Sequence, residues 1–451
     1  MSLNKALIKY LAFPAMERFK GNKIRQYLSY LKQTQFLPPD EIRRLQQKKL
    51  AVLLRHCLAR VPAYQPFAYL LDQVEREPEG VLKQLPILTK QNFIENTNLY
   101  LAQGQKPENL ILNRTGGSTG EPVRFYLDRA TVEHYEAARW RGLSWWGIEI
   151  GDPSAMIWGS PLELSQNQQL LYYLKERYLK NRIIIPAYGM KPEGLAEYAK
   201  KINSLRPVYI YGYASALALF ARLASESGIK LKPRLKGVVS TAETLHEDMR
   251  TAIESFFNCK AVNEYGARDG GIIAYECPCG GMHISAENLY LEIVDLKTKE
   301  PAETGKTGLV LVTDLNNFAM PRLRYQLGDL AALSPERCPC GVNLPLMGNI
   351  EGREDDVFVG RNGEFIHGHF FNHIARNLDG IRQFQLVQSA PRAVILKIVK
   401  GKNFAEQEVE FFKNKILEAL GEVDITLEFV PAIPPSPSGK VQYAKRLFPL
   451  S

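Results

Sequence analysis

The chain has 451 residues, 45% apolar and 23% charged, and its 57 basic and 48 acidic side chains leave a formal charge of +9. Those proportions are those of a soluble globular protein, too long for one ordinary core, so two or three domains are expected. No apolar run reaches the ~18 residues that a membrane span requires, and the longest candidate, residues 207–221, is bracketed by Arg206 and Arg222. The N-terminus lacks a signal-peptide pattern, which gives the expectation of a cytoplasmic location. The mild positive balance suits an anionic ligand. Its basic residues are scattered and not interleaved with aromatics, so no nucleic-acid partner is expected.

In chain order, residues 1–75 read as helical. Leu7, Tyr10, Leu11 and Phe13, then Ile24, Tyr27, Leu28 and Leu31, then Leu50, Leu53, Leu54 and Cys57 recur at helical spacing among Lys and Arg. The first stretch, 3–19, is basic, amphipathic and interrupted by Pro14. It could touch a membrane surface weakly, and packing against the next helix is the simpler expectation. Pro38-Pro39-Asp40 stops one helix and caps the next, and Thr89 caps a short helix after Leu85-Pro-Ile-Leu-Thr-Lys90. Residues 110–113 and 123–127 look extended, and 129–146 reads as a helix with an aromatic face of Tyr135, Trp140, Trp145 and Trp146. Strand-like runs at 155–158, 183–186, 208–211, 237–240 and 261–263 then alternate with helical patterns at 168–179, 192–204, 214–225 and 247–257. That alternation predicts parallel strands crossed by helices, with ligands at the carboxyl ends of the strands. From Tyr290 the pattern is β-rich, with runs at 290–294, 308–313 and 322–325. Beyond Gly352-Arg-Glu-Asp-Asp356 the composition changes. Runs at 383–387 and 394–399, a helix over 404–420 and a strand over 425–429 predict a compact α+β unit, followed by a proline-rich linker, 431–438.

Between the two extended segments stands Thr115-Gly116-Gly117-Ser118-Thr119-Gly120-Glu121-Pro122. Glycines that accept positive φ let successive N–H groups converge into an anion-binding nest, and Ser118 and Thr119 add hydroxyl donors. The same residues also suit an ordinary Gly/Ser surface turn. A P-loop is excluded, because Glu-Pro follows Gly120 where Lys-Ser/Thr is required.

Of the six cysteines, Cys57 and Cys259 stand alone as small core residues. The others form one tetrapeptide used twice, Cys277-Pro-Cys279-Gly and Cys338-Pro-Cys340-Gly. With His283 they offer five ligands for a four-coordinate structural Zn²⁺, against the alternative of paired buried thiols. The pair of knots also motivates a distant alternative of another class, a zinc-dependent nucleic-acid-binding module with steep salt dependence.

Four further stretches carry chemistry. Ser240-Thr-Ala-Glu243 and Asn263-Glu-Tyr-Gly-Ala-Arg-Asp269 each follow a strand, where an aromatic can stack on a base and a carboxylate can hold Mg²⁺. Tyr325-Gln-Leu-Gly-Asp329 places a carboxylate after a tight turn, and Ser438-Gly439-Lys440 puts a lysine on a loop of the small unit. Each alone is also an ordinary turn or a solvated lysine. In this order the stretches resemble the adenylate-forming superfamily, and more closely its phenylacetate–CoA ligase-like and capsule-biosynthesis branch. Arg60-Val-Pro-Ala-Tyr64, Leu85–Lys90, Glu276-Cys277 and Thr313-Asp-Leu-Asn-Asn-Phe-Ala-Met-Pro321 carry the closer likeness, which runs from about residue 45 to 446.

The resemblance implies an α/β fold: a large N-terminal domain with helix-flanked sheets and a β-rich subdomain, plus a small mobile α+β lid. Residues 1–100 would be its helical N-terminal part, 101–353 the AMP-binding core and 354–451 the lid. It further implies that Thr115, Gly116, Gly117, Ser118, Thr119 and Gly120 embrace ATP phosphates. Ala242, Glu243, Tyr265 and Gly266 would line the adenine, Asp269 would hold Mg²⁺, Asp329 the ribose with Arg353 beside it, Asp355 would be the hinge, and Lys440 the catalytic lysine. A small carboxylate, hydrophobic or aryl to judge from Trp145, Trp146, Trp158, Tyr188, Tyr211 and Tyr213, would become an acyl-adenylate and pass to coenzyme A. Two departures stand out: Val123 replaces the family's lysine after the loop proline, and Asn362-Gly-Glu-Phe-Ile-His367 resembles the capsule-type relatives. The second keeps an amine or hydroxyl acceptor in polysaccharide or secondary-metabolite biosynthesis as the alternative.

Overall fold

The helical period of the N-terminal residues builds α1 (Leu3–Leu7), α2 (Phe13–Lys20), α3 (Ile24–Thr34) and α4 (Pro39–Arg60) in a computed structural model. It describes residues 3–114, 123–158, 166–187, 190, 192–353, 356–361, 365–375, 378, 380–401, 403–434 and 443–448. Pro14 does not interrupt the first stretch as its sequence suggests. A π-helical turn over Ile8–Ala12 precedes it and runs directly into α2, whose first turn takes the proline. The segment docks on the body through buried Ile8 and through Lys5, paired to Asp152 at 2.7 Å and to Glu149 at 3.0 Å. Leu7, Tyr10, Leu11 and Phe19 stay exposed. Asp40 sits in the first turn of α4 without capping it, because Pro38 occupies the cap.

A 3-10 stretch (Pro62–Gln73) and two short helices, α5 (Pro78–Gln84) and α6 (Lys90–Glu95), follow; Thr89 caps α6 by accepting from the Asn92 N–H at 3.1 Å. The hairpin β1 (Ile111–Arg114) and β2 (Arg124–Leu127) leads into α7 (Arg129–Trp145), whose cap Asp128 accepts from the Thr131 N–H and hydroxyl. Then come β3 (Ser154–Trp158), α8 (Gln166–Leu179), β4 (Arg182–Pro186), α9 (Pro192–Leu205), β5 (Tyr209–Tyr213), α10 (Ala214–Glu226), β6 (Gly237–Thr241), α11 (Glu247–Phe257) and β7 (Ala261–Ala267). Strands β4, β3, β5, β6 and β7 pair in parallel in that order, as the alternation requires.

At β7 the sheet changes sense without ending. β8 (Gly271–Glu276), β9 (Met282–Ile284), β10 (Leu289–Val294), β11 (Gly308–Asp314), β12 (Tyr325–Ser334) and β13 (Leu346–Arg353) join antiparallel. One 11-stranded sheet results, in the order β10-β11-β12-β13-β9-β8-β7-β6-β5-β3-β4. The β-rich part is therefore an extension of the parallel sheet. Residues 322–324, expected as strand, lie before β12 instead, because Arg322 and Arg324 turn into buried polar contacts.

A separate core from Phe358 to Ala444 belongs to the C-terminal part. It comprises the hairpin β14 (Val357–Val359) and β15 (Phe365–His367), α12 (His369–Ala375), β16 (Ile381–Ala390), β17 (Ala393–Lys400), α13 (Glu406–Leu420), β18 (Asp424–Phe429) and β19 (Ala444–Arg446). Its four-stranded sheet runs β18-β17-β16-β19. No helix among the described residues is long and apolar enough to cross a membrane.

Candidate active site

The parallel strands β5, β6 and β7 bring Tyr213, the Thr241–Glu243 turn and Tyr265 to one edge, since parallel strands deliver their carboxyl ends to the same side. Ala242 adopts a positive φ of 64°, a conformation that non-glycine residues rarely take outside constrained turns. Glu243 Oε2 accepts the Ser215 N–H at 2.8 Å and so sits at the N-terminal turn of α10.

Asp329 reaches this edge from the other half of the sheet. It was expected after a tight turn, but it lies inside β12, in an irregularity where Leu309 pairs with Leu330 and Leu311 with Gln326. Gly328 makes the bulge with φ of 79°, and a Cβ there would meet Arg353 Nη2 at 3.0 Å. Asp329 and Arg353 are ladder partners across β12 and β13, joined by an ion pair at 3.0 Å, and Arg353 also donates to the Leu327 carbonyl. The Tyr265 hydroxyl donates to Asp329 Oδ2 at 2.9 Å. Burial first, and then the Asp329 carboxylate, push the Tyr265 phenol well above its ordinary pKa, so it stays a donor.

Asp269 is buried just past β7 and accepts the Tyr325 hydroxyl at 3.0 Å, while Arg322 donates to its carbonyl at 3.0 Å. Arg322 is itself buried, 4.4 Å from the Phe125 ring centroid. One carboxylate oxygen thus holds a fixed tyrosine, and a carboxylate offers about four lone-pair positions, so Asp269 keeps capacity for a hard cation. A Cβ at Gly266 would fall 3.1 Å from the Gly271 carbonyl oxygen and 3.3 Å from Ile272, so a larger residue would have to push its neighbours aside. Val123 is buried in the core that Phe125 and Tyr325 share, so at this position the side chain supplies apolar packing.

Sequence reasoning missed the polar group under this edge. Tyr211 and Thr241 hydroxyls donate to buried Glu264 at 2.6 and 2.9 Å, and Arg139 Nε donates to its other oxygen at 3.3 Å. Strand alternation places Glu264 on the face opposite Tyr265, a signal that was legible once β7 was extended past residue 263. Trp158 stacks on Tyr213 at 4.1 Å. Trp145 and Trp146 are elsewhere: their indoles donate to Gln35 and to the Glu276 carbonyl, so they serve the core and not the edge. Residues 115–120, Tyr188, Asp355 and Lys440 lie outside the described residues.

The cysteine knots converge where the turn between β8 and β9 meets the β12–β13 connection. Cys277, His283, Cys338 and Cys340 place their ligand atoms within 4.8 Å of one another, and Cys279 is exposed and not among them. Burial pushes the His283 imidazole down to about 4, which keeps it neutral.

The C-terminal residues 358–446 match the family model described as the CapK C-terminal domain. Protein CapK of Staphylococcus aureus is 25% identical over 376 residues, 80% of each chain. Phenylacetate-coenzyme A ligase of Thermus thermophilus is 28% identical over 350 residues, 74% of this chain and 75% of that one. The fold is shared with 2-hydroxyisobutyryl-CoA ligase, solved in the postadenylation state with an acyl-AMP, at TM-score 0.68, 19% identity and 90% coverage of both chains. Together these likenesses support the adenylate-forming superfamily. Within it, the chain is similar to the phenylacetate–CoA ligase-like and CapK branch. The fold is also shared with ATP-bound MatB from Rhodopseudomonas palustris, at TM-score 0.52, 15% identity and coverage of 76% of this chain and 68% of that one.

Proposed function

We propose that this chain is an ATP-dependent, AMP-forming ligase that activates a small carboxylic acid as its acyl-adenylate and transfers the acyl group to coenzyme A. The observation that carries the proposal is the meeting of Tyr265, Asp329 and Arg353 at the sheet edge, with Asp269 on the adjoining turn. In that arrangement the Tyr265 ring offers a face to the adenine and Asp329 accepts from the ribose hydroxyls. Arg353 holds Asp329 in place through their ion pair. Residues 115–120 would donate N–H groups to the phosphates, and Asp269 would hold Mg²⁺, which neutralises phosphate charge when bound.

In the first half-reaction a carboxylate oxygen attacks the α-phosphorus, and the bond to the bridging oxygen breaks to release pyrophosphate. Two anions must approach, so positive charge is needed, and Lys440 is the residue that would bring it from the small domain and withdraw afterwards. In the second, a thiolate sulfur attacks the acyl carbon, AMP leaves, and the thiol proton passes to solvent. The stacked Trp158 and Tyr213 favour a hydrophobic or aryl acid, with the Glu264–Arg139 group setting a polar limit beside them.

The match of residues 358–446 to the CapK C-terminal domain favours one second reading, transfer to an amine or hydroxyl acceptor. Carboxylate-dependent ATP–pyrophosphate exchange across an acid panel tests the first half-reaction. AMP release with and without coenzyme A then separates the acceptors. No exchange with any acid would remove the ligase proposal; exchange without CoA-stimulated turnover would leave the second reading.

A further inference from the structure

The long sheet has a weak seam. β13 and β9 are joined by only two partner pairs, Leu346 with His283 and Met347 with Met282, whereas β10 and β11 are joined by six. Everything on one side of that seam, β10 to β13, carries Asp329 and Arg353; everything on the other carries Tyr265 and Asp269. The Cys/His cluster sits on it. Cys277 follows β8 and His283 lies in β9, while Cys338 and Cys340 come from the connection between β12 and β13.

We infer that Cys277, His283, Cys338 and Cys340 bind one structural Zn²⁺ that clamps the two halves of the sheet at this seam. The ligand atoms of a tetrahedral zinc with ~2.3 Å bonds to sulfur lie about 3.8 Å apart. Here Cys277 Sγ and Cys338 Sγ are 3.4 Å apart, and His283 Nε2 and Cys340 Sγ 3.1 Å apart. A sulfur pair at 3.4 Å is far outside the ~2.05 Å of a disulfide.

The two knots also fold alike. Gly280 and Gly341, the last residues of the repeated tetrapeptide, both have φ of 85°. The turns they make bring backbone N–H groups back toward the cysteines, and the Val342 N–H lies 3.5 Å from Cys340 Sγ. Gly281 lets the knots approach, since a Cβ there would fall 2.7 Å from Cys338 Sγ. Cys279 points to solvent and is left out. With three cysteines and a histidine the site has no open position, so its role is to cross-link and not to catalyse.

The test is metal analysis of the full chain purified without chelator, with three variants beside the wild type. About one zinc per chain is expected in the wild type and in Cys279→Ser, and loss of the metal in Cys338→Ser and Cys340→Ser. Should those two variants be insoluble, wild-type protein from cobalt-supplemented cells replaces them. It should show the strong sulfur-to-cobalt charge-transfer and ligand-field bands of a tetrahedral thiolate site. Zinc removal by a mercurial with a metal-binding dye should quench or shift the fluorescence of Trp145, whose ring lies 5.2 Å from His283. Metal-free wild-type protein, a disulfide found in its place, or zinc lost in Cys279→Ser but kept in Cys338→Ser would each overturn the assignment. Because the readouts need neither ATP nor a substrate, they are independent of the ligase proposal.

Discussion

The Tyr265 hydroxyl lies 2.9 Å from Asp329 Oδ2, although β7 and β12, which carry them, are separated in the sheet by β8, β9 and β13. Four strand spacings of ~4.8 Å would put their backbones about 19 Å apart in a flat sheet, well beyond the combined reach of the two side chains. The antiparallel part of the sheet therefore curls back toward the parallel part. Its interior is filled by Ile273, Ile284, Val310, Val312, Leu327 and their neighbours.

If Asp329 accepts from the ribose, Asp329→Ala should raise the KM for ATP about 10- to 100-fold, the range for losing a hydrogen bond to a charged group. Tyr265→Phe removes one donor and keeps the ring, so its effect should be smaller. Pyrophosphate-exchange kinetics at varied ATP measure both. A KM for Asp329→Ala within about twofold of wild type would not be compatible with loss of such a contact.

Lys440→Ala should reduce adenylate formation about 10²- to 10³-fold, the usual loss for one preorganised charge contact in the transition state. Supplied with synthetic acyl-adenylate, the same variant should complete transfer at a near-normal rate. Equal slowing of both half-reactions would contradict withdrawal of the lysine between them, and no slowing of either would remove its catalytic role.

Arg141 and Glu287 form a buried ion pair at 2.7 Å, with Thr34 and Ser285 hydroxyls completing it. Arg141→Met leaves the Glu287 carboxylate without its counter-charge and should destabilise the fold by about 3–5 kcal/mol. Adding Glu287→Gln to that variant should recover part of the loss, because the stranded charge is gone. Denaturant midpoints of the two variants report this, and an unrecovered double variant would show that packing, not charge, dominates.

His134 stacks on Tyr27 at 3.9 Å, and burial, followed by the Lys49 charge, lowers its pKa from 6.5 to about 3. Below pH 6.5 the unfolded chain takes up a proton that the native chain refuses. Stability should therefore fall as pH drops from 6.5 toward about 3, by at most about 1.4 kcal/mol per pH unit from this residue. In His134→Phe, which keeps the stack, the thermal midpoint should vary less over that range. An unchanged pH slope would rule out His134 as the source.

Much of this protein was written in local pattern. The parallel strands, the helices between them and the β-rich run after Tyr290 followed from periods of two and 3.6, because burial on one face or stripe is a property that neighbouring residues impose on each other. The order of the chemical motifs was equally linear, and the repeated Cys-Pro-Cys-Gly announced a paired site. What the chain did not disclose is everything that depends on closure. The bulge at Gly328 that turns Asp329 toward Tyr265 arises from register between strands, and register is settled by partners far away in sequence. The choice of Cys277, His283, Cys338 and Cys340 over Cys279 needed the seam between β9 and β13, where segments some 60 residues apart meet. Local sequence sets which face of each strand is apolar; only the curled sheet decides which faces see one another.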